Sequence, residues 1–233
     1  MNRSEPRVLL VDDSATIRYA MQNRLQSLGC QVQVAADGAA ALAAIRAQPQ
    51  GLVLLDCFLP DLPGHEVARQ VRALEQEDPQ RPYTPLIGIS AEADAAHVRL
   101  CLDGGMDGML DKPVQTADLR KMLSLWCDHE CGDEGAALPP REEYARDLAR
   151  LFLSTSQHDL AALQQAHRAG DQATMGKLAH RMKGAALTMQ RSEIVALLEC
   201  LEEAMQDDYD TQDAITLLLT SLEKVLAASA APG

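Results

Sequence analysis

Short runs of apolar residues alternate with amphipathic segments along the first half of the chain. The runs at 8–11, 52–55 and 86–89 are continuous and rich in Val, Ile and Leu. Runs of this kind are typical of parallel strands that are covered on both faces. The run at 31–34 alternates polar and apolar residues, which predicts a half-covered strand at a sheet edge.

Apolar residues between these runs repeat at helical spacing. Ile17, Met21 and Leu25 share one helix face, and Gly29 ends that segment. A short fifth segment, MLD, precedes Pro113. Strands and helices that alternate through right-handed crossovers form a parallel sheet with helices on both faces. The pattern therefore predicts an α/β domain with a doubly wound, five-stranded parallel sheet.

The second half of the chain lacks strand-like runs and shows helical periodicity broken by turn signals. Asp171, Ser192 and Thr211 are candidate N-caps of its helices. Short connections between amphipathic helices favour antiparallel neighbours, so we predict an all-α up-and-down helical bundle. Before it, HECGDEGAALPPR loses periodicity and gathers Gly and Pro, as a linker does. The predicted boundaries are 5–128 for the α/β domain, 129–141 for the linker and 142–230 for the bundle.

Charge and hydropathy exclude two classes of partner. The chain has 34 acidic and 21 basic residues, a formal net charge of −13, which repels nucleic acid over most of the surface. No run approaches the roughly 18 apolar residues that span a bilayer, and the first residues lack the apolar stretch of a signal peptide. We therefore expect no nucleic-acid binding, no membrane insertion and a cytoplasmic localisation.

The six cysteines are scattered along the chain, which favours reduced thiols over a disulfide framework. Cys127, His129 and Cys131 offer three zinc ligands without a clear fourth, and we interpret this cluster as chance. Cys57 follows an apolar run and is interpreted as a buried cysteine rather than a sensor of oxidation. The histidines interpreted as surface residues are His65, His97 and His129.

Polar residues end the predicted strands, whose carboxyl ends share one crevice in a doubly wound sheet. Asp12 and Asp13 follow the first run, Asp56 follows the run at 52–55, and Ser90 and Lys112 follow later strands. Three carboxylates in one crevice repel unless a cation neutralises them, and their hard oxygens suit Mg²⁺. A hydroxyl and an ammonium beside them can stabilise a phosphoryl group attached to one carboxylate.

Each of these residues has an ordinary structural interpretation when it is met singly. Asp12 and Asp13 are plausible N-caps, Asp56 a turn residue, Ser90 a loop hydroxyl and Lys112 a solvated lysine. Their joint occurrence at successive strand ends favours a functional site.

The motifs VLLVDDS, DCFLPDLPGHEVAR, ISA and GMDGMLDKPV, in this order, resemble the receiver domain of bacterial two-component response regulators. The resemblance extends over nearly all of residues 5–127. It implies a flavodoxin-like fold and Asp56 as the phosphoacceptor. The Mg²⁺ ligands that it implies are Asp12, Asp13, Asp56 and the backbone carbonyl of Phe58.

The same resemblance implies that Ser90 and Lys112 contact the phosphoryl oxygens and that the peptide between Lys112 and Pro113 is cis. One position departs from the family pattern. Receivers usually carry Tyr or Phe three residues before the Lys, whereas this chain has Met109, a flexible apolar side chain.

In the second half, KLAHRMKGAALTMQ predicts a helix with two distinct flanks. Leu178 and Met182 belong to the apolar flank, whereas His180, Lys183 and Gly184 share a second flank that we predict to face outward. A neutral imidazole is nucleophilic and can take a phosphoryl group. Lys183 would offset phosphate charge, and Gly184 would let a partner approach.

The segment AHRMKGAA resembles the histidine-containing phosphotransfer (HPt) domain, and the resemblance extends over about 142–228. It implies that His180 is the phosphotransfer histidine. Alone, H-x-x-K-G is a weak signal, since a lone helical histidine is usually structural or solvated. The competing His158 and His167 lack a neighbouring KG, and Gln190 stands where many HPt domains have Gly.

A receiver followed by an HPt domain resembles the C-terminal part of unorthodox hybrid sensor kinases. The chain has no room for an ATP-binding kinase domain, so whether it is an enzyme stays open. We expect a sensor histidine kinase to donate phosphate to Asp56, and His180 to exchange it with Asp56 or with a separate response regulator receiver. Two alternatives are an interaction regulator whose receiver gates the HPt surface and a phosphate sink.

Overall fold

The computed structural model describes residues 5–91, 95–129, 141–206 and 212–230. The chain divides into two compact units, Met1–Arg141 and Glu142–Gly233. The described part of the first unit alternates strands and helices, and that of the second is helical.

The first unit contains one parallel sheet with the strand order β2-β1-β3-β4-β5. This confirms the predicted doubly wound, five-stranded sheet. The strands are β1 (Arg7–Val11), β2 (Gln31–Ala35), β3 (Leu52–Asp56), β4 (Leu86–Ser90) and β5 (Gly108–Asp111). The helices are α1 (Ala15–Ser27), α2 (Gly38–Ala47), α3 (Gly64–Glu77), α4 (Ala95–Asp103) and α5 (Thr116–Cys127).

The sheet separates two hydrophobic clusters because successive side chains of a strand point to opposite faces. Leu9 and Val53 pack with residues of α2, α3 and α4 on one face. Leu10 and Leu54 pack with residues of α1 and α5 on the other. The central strands β3 and β4 are buried along their whole length, whereas β2 is a largely exposed edge strand, as its alternating pattern predicts.

The second unit is an all-α bundle, as predicted. Its helices contribute to one hydrophobic core, in which α7 packs against α8 and α8 against α9. Phe152 of α6 and Leu222 of α9 are among the fully buried side chains of this core. The helices are α6 (Arg141–Ala169), α7 (Gln172–Thr188), α8 (Ser192–Gln206) and α9 (Gln212–Ala230).

The predicted helix caps have different outcomes. Asp171 caps α7, since its Oδ1 accepts a hydrogen bond from the Thr174 N–H at 3.0 Å. Ser192 is the first residue of α8 rather than its cap, and Thr211 lies outside the described residues. The domain boundaries stay a prediction, because residues 130–140 of the linker also lie outside the described residues. Among the helices of the described ranges, none has the length and apolar character required to cross a membrane.

Two leucines of α9 provide a matched test of the bundle core. Leu222 is 0% exposed, whereas Leu217 is 68% exposed. We expect Leu222→Ala to lower the free energy of unfolding of the helical unit by about 2–5 kcal/mol, because it leaves a cavity. Leu217→Ala should change it by less than about 0.5 kcal/mol. Urea unfolding of the full chain followed by circular dichroism measures both, and equal losses in the two variants would contradict this packing.

Candidate functional site

Three carboxylates meet at the carboxyl edge of the sheet. Asp12 directly follows β1 and Asp56 ends β3, and these two residues are each 1% exposed. Each of Asp12, Asp13 and Asp56 offers an oxygen within 4.8 Å of the others. The two strands are hydrogen-bonded neighbours that pair Val11 with Leu55, so the residues that follow this pair come together. We call Asp12, Asp13 and Asp56 the acidic pocket.

Lys112 enters the acidic pocket from the end of β5. Its Nζ lies 2.7 Å from Asp56 Oδ2 and 3.0 Å from Asp12 Oδ2, with the side chain 4% exposed. The Lys112 N–H donates to the carbonyl of Ser90 at 2.7 Å, which anchors the backbone of Lys112 to the end of β4. Ser90 is itself 1% exposed. The Lys112–Pro113 peptide is cis, as the resemblance implies.

Burial governs the charges of the acidic pocket. Desolvation, reinforced by the neighbouring charge of Asp56, raises the pKa of Asp12 to about 7, although Lys112 opposes this rise. Burial alone would lower the pKa of Lys112, but the charges of Asp12 and Asp56 raise it above its ordinary value. Lys112 therefore carries its positive charge at neutral pH, and Asp12 lacks full compensation for its negative charge.

The donor set of the acidic pocket fits a hard divalent cation. Its ligand atoms are carboxylate oxygens, and burial together with the charge of Asp56 raises the pKa of Asp12 despite the nearby ammonium of Lys112. Two backbone groups orient the carboxylates: the Ser14 N–H donates to Asp12 Oδ1 at 2.8 Å, and the Phe58 N–H donates to Asp56 Oδ1 at 3.1 Å. The second contact brings the backbone of Phe58 beside Asp56.

Gly64 has a role in this site that the sequence reasoning missed. A Cβ at Gly64 would lie 2.6 Å from the carbonyl oxygen of Asp56 and 2.9 Å from the Cα of Cys57. Any side chain there would push the loop after β3 away from the start of α3. The Pro-Gly pair within DCFLPDLPGHEVAR is the signal that could have identified this close approach.

Met109 packs against one face of the sheet, at the position where receivers usually carry Tyr or Phe. It lies on β5 opposite Gly88 of β4, and it contacts the cluster on that face. A Cβ at Gly88 would collide with the Met109 side chain and lie 2.7 Å from the Met106 sulfur. The missing side chain of Gly88 thus provides the space that the two thioethers fill.

The outward orientation predicted for the His180 flank is wrong. His180 is 9% exposed and Lys183 is 7% exposed, and Gly184 is also buried. The Lys183 ammonium forms an ion pair with Glu202 of α8, and the neighbouring Arg181 pairs with Asp159 of α6. Helices α6 and α8 therefore both reach the polar positions of α7, which periodicity within one helix could not reveal.

Two histidines predicted to be surface residues have specific partners. The His97 ring stacks on Phe58, with centroids 4.7 Å apart and 10° between the ring planes. His129 Nε2 lies 2.8 Å from the carbonyl oxygen of Leu28. Both histidines are half-buried, and their partners are distant in sequence, so local pattern could not reveal these contacts. Cys127 contacts the Gly51 carbonyl at 3.5 Å, and Cys131 lies outside the described residues, so the interpretation of Cys127, His129 and Cys131 as chance stays a prediction.

Two family models match different parts of the chain. Residues 8–124 match the family model of the response regulator receiver domain, and residues 147–228 match that of the Hpt domain. The first range contains the acidic pocket and Lys112, and the second contains His180 and Lys183.

The chain is similar to part of two sensor kinases. Sensor histidine kinase GacS of Pseudomonas protegens is 30% identical over 203 residues, which are 77% of this chain and 22% of the relative. Sensor protein EvgS of Escherichia coli K12 is 30% identical over 236 residues, which are 94% of this chain and 19% of the relative. The chain thus spans about a fifth of the length of these relatives.

A solved structure shows the same receiver architecture. It is a co-crystal of the Saccharomyces cerevisiae histidine phosphotransfer signaling protein Ypd1 with the receiver domain of its downstream response regulator Ssk1. The matched chain is 25% identical, with a TM-score of 0.50 over 55% of this chain and 94% of that chain. The receiver match extends over half of the sequence and coincides with the five-stranded sheet, so the chain belongs to the response regulator receiver domain family, its receiver being followed by residues that match the Hpt domain.

Proposed function

We propose that this chain is a phosphorelay module in which Asp56 accepts a phosphoryl group from a phosphohistidine. The observation that carries the proposal is the contact of 2.7 Å between Lys112 Nζ and Asp56 Oδ2 inside a buried acidic pocket. The Lys112 ammonium beside Asp56 would meet the transferred phosphoryl oxygens, and preorganised charge of this kind favours transfer.

The chemistry follows from the atoms around Asp56. A carboxylate oxygen of Asp56 attacks the phosphorus, the phosphorus–nitrogen bond breaks, and its electron pair returns to the donor imidazole nitrogen. The donor ring takes up one proton from solvent, so an acyl phosphate on Asp56 and a neutral imidazole result. The Lys112 ammonium then moves from the carboxylate to the phosphoryl oxygens, and the Ser90 hydroxyl donates to one of them.

Mg²⁺ is part of this proposal, with Asp12, Asp13, Asp56 and the carbonyl of Phe58 as its ligands. When bound, the ion would supply positive charge against the phosphoryl oxygens that Lys112 alone cannot neutralise. The hard oxygen donors of the acidic pocket and the raised pKa of Asp12 support this assignment.

We further propose that His180 exchanges phosphate with Asp56 or with the aspartate of a separate receiver. The donor would be a sensor histidine kinase and the recipient a response regulator, in keeping with the sensor kinases that this chain resembles. The Ypd1–Ssk1 complex, in which a phosphotransfer protein pairs with a receiver, supports the second step. The cytoplasmic localisation stays a prediction.

The burial of His180 favours a second candidate function. At 9% exposure, His180 presents little surface on which a partner aspartate could act. A protein that keeps His180 buried would act as an interaction regulator and would not transfer phosphate from Asp56 to His180. The two candidates differ in whether label ever reaches His180.

The first test concerns the acceptor. Phosphoramidate has the same phosphorus–nitrogen bond as phosphohistidine, so it serves as a donor in the presence of Mg²⁺. We expect Asp56→Asn to lose the hydroxylamine-sensitive acyl phosphate, because an amide oxygen is a poor nucleophile. Asp103→Asn, which removes one exposed charge from α4, should retain it. Mass spectrometry of the intact chain measures both, and an unchanged acyl phosphate in Asp56→Asn would exclude this acceptor.

The second test concerns the cation. Asp12→Asn keeps the shape of the side chain and removes one anionic ligand, so we expect Mg²⁺ affinity to fall by about tenfold or more. Isothermal titration calorimetry of the full chain measures the affinity. Asp103→Asn is again the control, and equal affinities for Asp12→Asn and the unmodified chain would remove Asp12 from the ligand set.

The third test distinguishes the two candidate functions. Phosphohistidine survives base and is lost in acid, whereas acyl phosphate is lost in base. We expect base-stable label in the unmodified chain and in His167→Gln, whose half-buried histidine lies on α6 and contacts Thr216, but none in His180→Gln. Label that forms on Asp56 and never appears on histidine, even with a partner receiver present, would favour the interaction regulator.

A further inference from the structure

Two thiols and one imidazole meet beside the acidic pocket without taking part in the proposed phosphotransfer. Cys57 follows β3, whereas His97 and Cys101 lie on α4. The Cys57 and Cys101 sulfurs are 3.6 Å apart, and the Cys101 sulfur is 3.6 Å from His97 Nε2. The three potential ligand atoms all lie within 4.8 Å of one another. We call these three residues the Cys–His cluster.

The two separations that involve the Cys101 sulfur match the coordination geometry of zinc. With Zn–S near 2.3 Å and Zn–N near 2.05 Å, the edges of a tetrahedron are about 3.8 Å between two sulfurs and about 3.5 Å between sulfur and nitrogen. The observed 3.6 Å separations differ from these edges by about 0.2 Å or less. The third separation, between the Cys57 sulfur and the His97 ring nitrogen, is within 4.8 Å, so closing it around an ion would need at most a small movement of these side chains.

Local structure orients the His97 ring towards the thiols. His97 and Cys101 are four residues apart on α4, which places them on the same helix face. The ring of Phe58 stacks on His97 from the loop after β3. The imidazole therefore lies between the Phe58 ring and the Cys101 sulfur, with Nε2 directed towards that sulfur.

Burial gives the Cys–His cluster a closed side and an open side. Cys57 is 2% exposed and Cys101 is 0% exposed, and both belong to the hydrophobic cluster on this face of the sheet. His97 is half-buried. Solvent can therefore reach the cluster from the side of His97, and zinc held by three protein ligands commonly takes a water molecule as its fourth.

We propose that Cys57, His97 and Cys101 bind one zinc ion, with water as the fourth ligand. Zinc replaces the two thiol protons, which pass to solvent, and no oxidant or reductant is required. The ion joins α4 to the loop that carries Phe58 and so links this helix to the backbone next to Asp56. The site is independent of the proposed phosphotransfer and has a different ligand chemistry, because soft sulfur donors select zinc over Mg²⁺.

A disulfide between the two cysteines is the competing interpretation of the short sulfur–sulfur distance. It would require an oxidant, and it would give His97 no role. The approach of His97 Nε2 to the same sulfur favours coordination of a metal ion, for which a third ligand is needed.

The test is a zinc titration of the full chain under a phosphine reductant, against a chromophoric chelator, with excess Mg²⁺ to occupy the acidic pocket. We expect one equivalent of zinc to bind. Cys101→Ser should weaken binding by about 100-fold and His97→Gln by about tenfold or more. Two control variants should bind zinc like the unmodified chain. Cys30→Ser changes a cysteine packed on the other face of the sheet, and Cys127→Ser changes the cysteine two residues before His129.

Cobalt provides a readout that depends on the ligands themselves. Co²⁺ bound by two thiolates shows a sulfur-to-metal charge-transfer band, which Cys101→Ser should weaken and Cys127→Ser should leave unchanged. Circular dichroism without metal verifies that each variant folds. If Cys101→Ser does not fold, the zinc affinity of His97→Gln, which changes a half-buried residue, tests the proposal instead. Zinc affinity that is equal in His97→Gln and the unmodified chain, or cobalt binding without the charge-transfer band, would overturn the proposal. Zinc binding that appears only in the absence of Mg²⁺ would also overturn it.

Discussion

The receiver site depends on one buried ion contact, in which the Lys112 ammonium reaches both Asp12 and Asp56. The sheet order brings these groups together, since β3 lies beside β1 and Lys112 reaches across β4 from the end of β5. An isolated carboxylate at 1% exposure would be costly to keep charged. The same ammonium stabilises the charged carboxylates in the resting protein and, in the function proposed above, would meet the incoming phosphoryl group.

Much of the first unit could be predicted from the sequence because its signals are local. Continuous apolar runs identified the central strands, and the rule that parallel strands end at a common edge brought Asp12, Asp56, Ser90 and Lys112 into one region. The Cys–His cluster could not be found in this way. Cys57 and Cys101 are 44 residues apart, and only the packing of α4 against the loop after β3 brings them together. Local pattern contains no information on that contact.

The helical unit shows a different limit. Periodicity identified the helices and one apolar flank of α7, but it assigned the polar residues His180 and Lys183 to solvent. In the structure, Glu202 of α8 pairs with Lys183, and Asp159 of α6 pairs with Arg181. A polar side chain is buried when a neighbouring helix supplies its counter-charge. The sequence of one helix cannot specify whether its neighbours do so.

The pairing of Met109 with Gly88 has a consequence for how this receiver can vary. The thioether occupies the volume that a Cβ at position 88 would need, and the two residues lie opposite each other on adjacent strands. A side chain at position 88 alone would clash with Met109, and a smaller side chain at position 109 alone would leave a void. Amino-acid changes at these two positions should therefore be correlated. An aromatic ring at position 109 would likewise need a glycine, or a residue just as small, opposite it on β4.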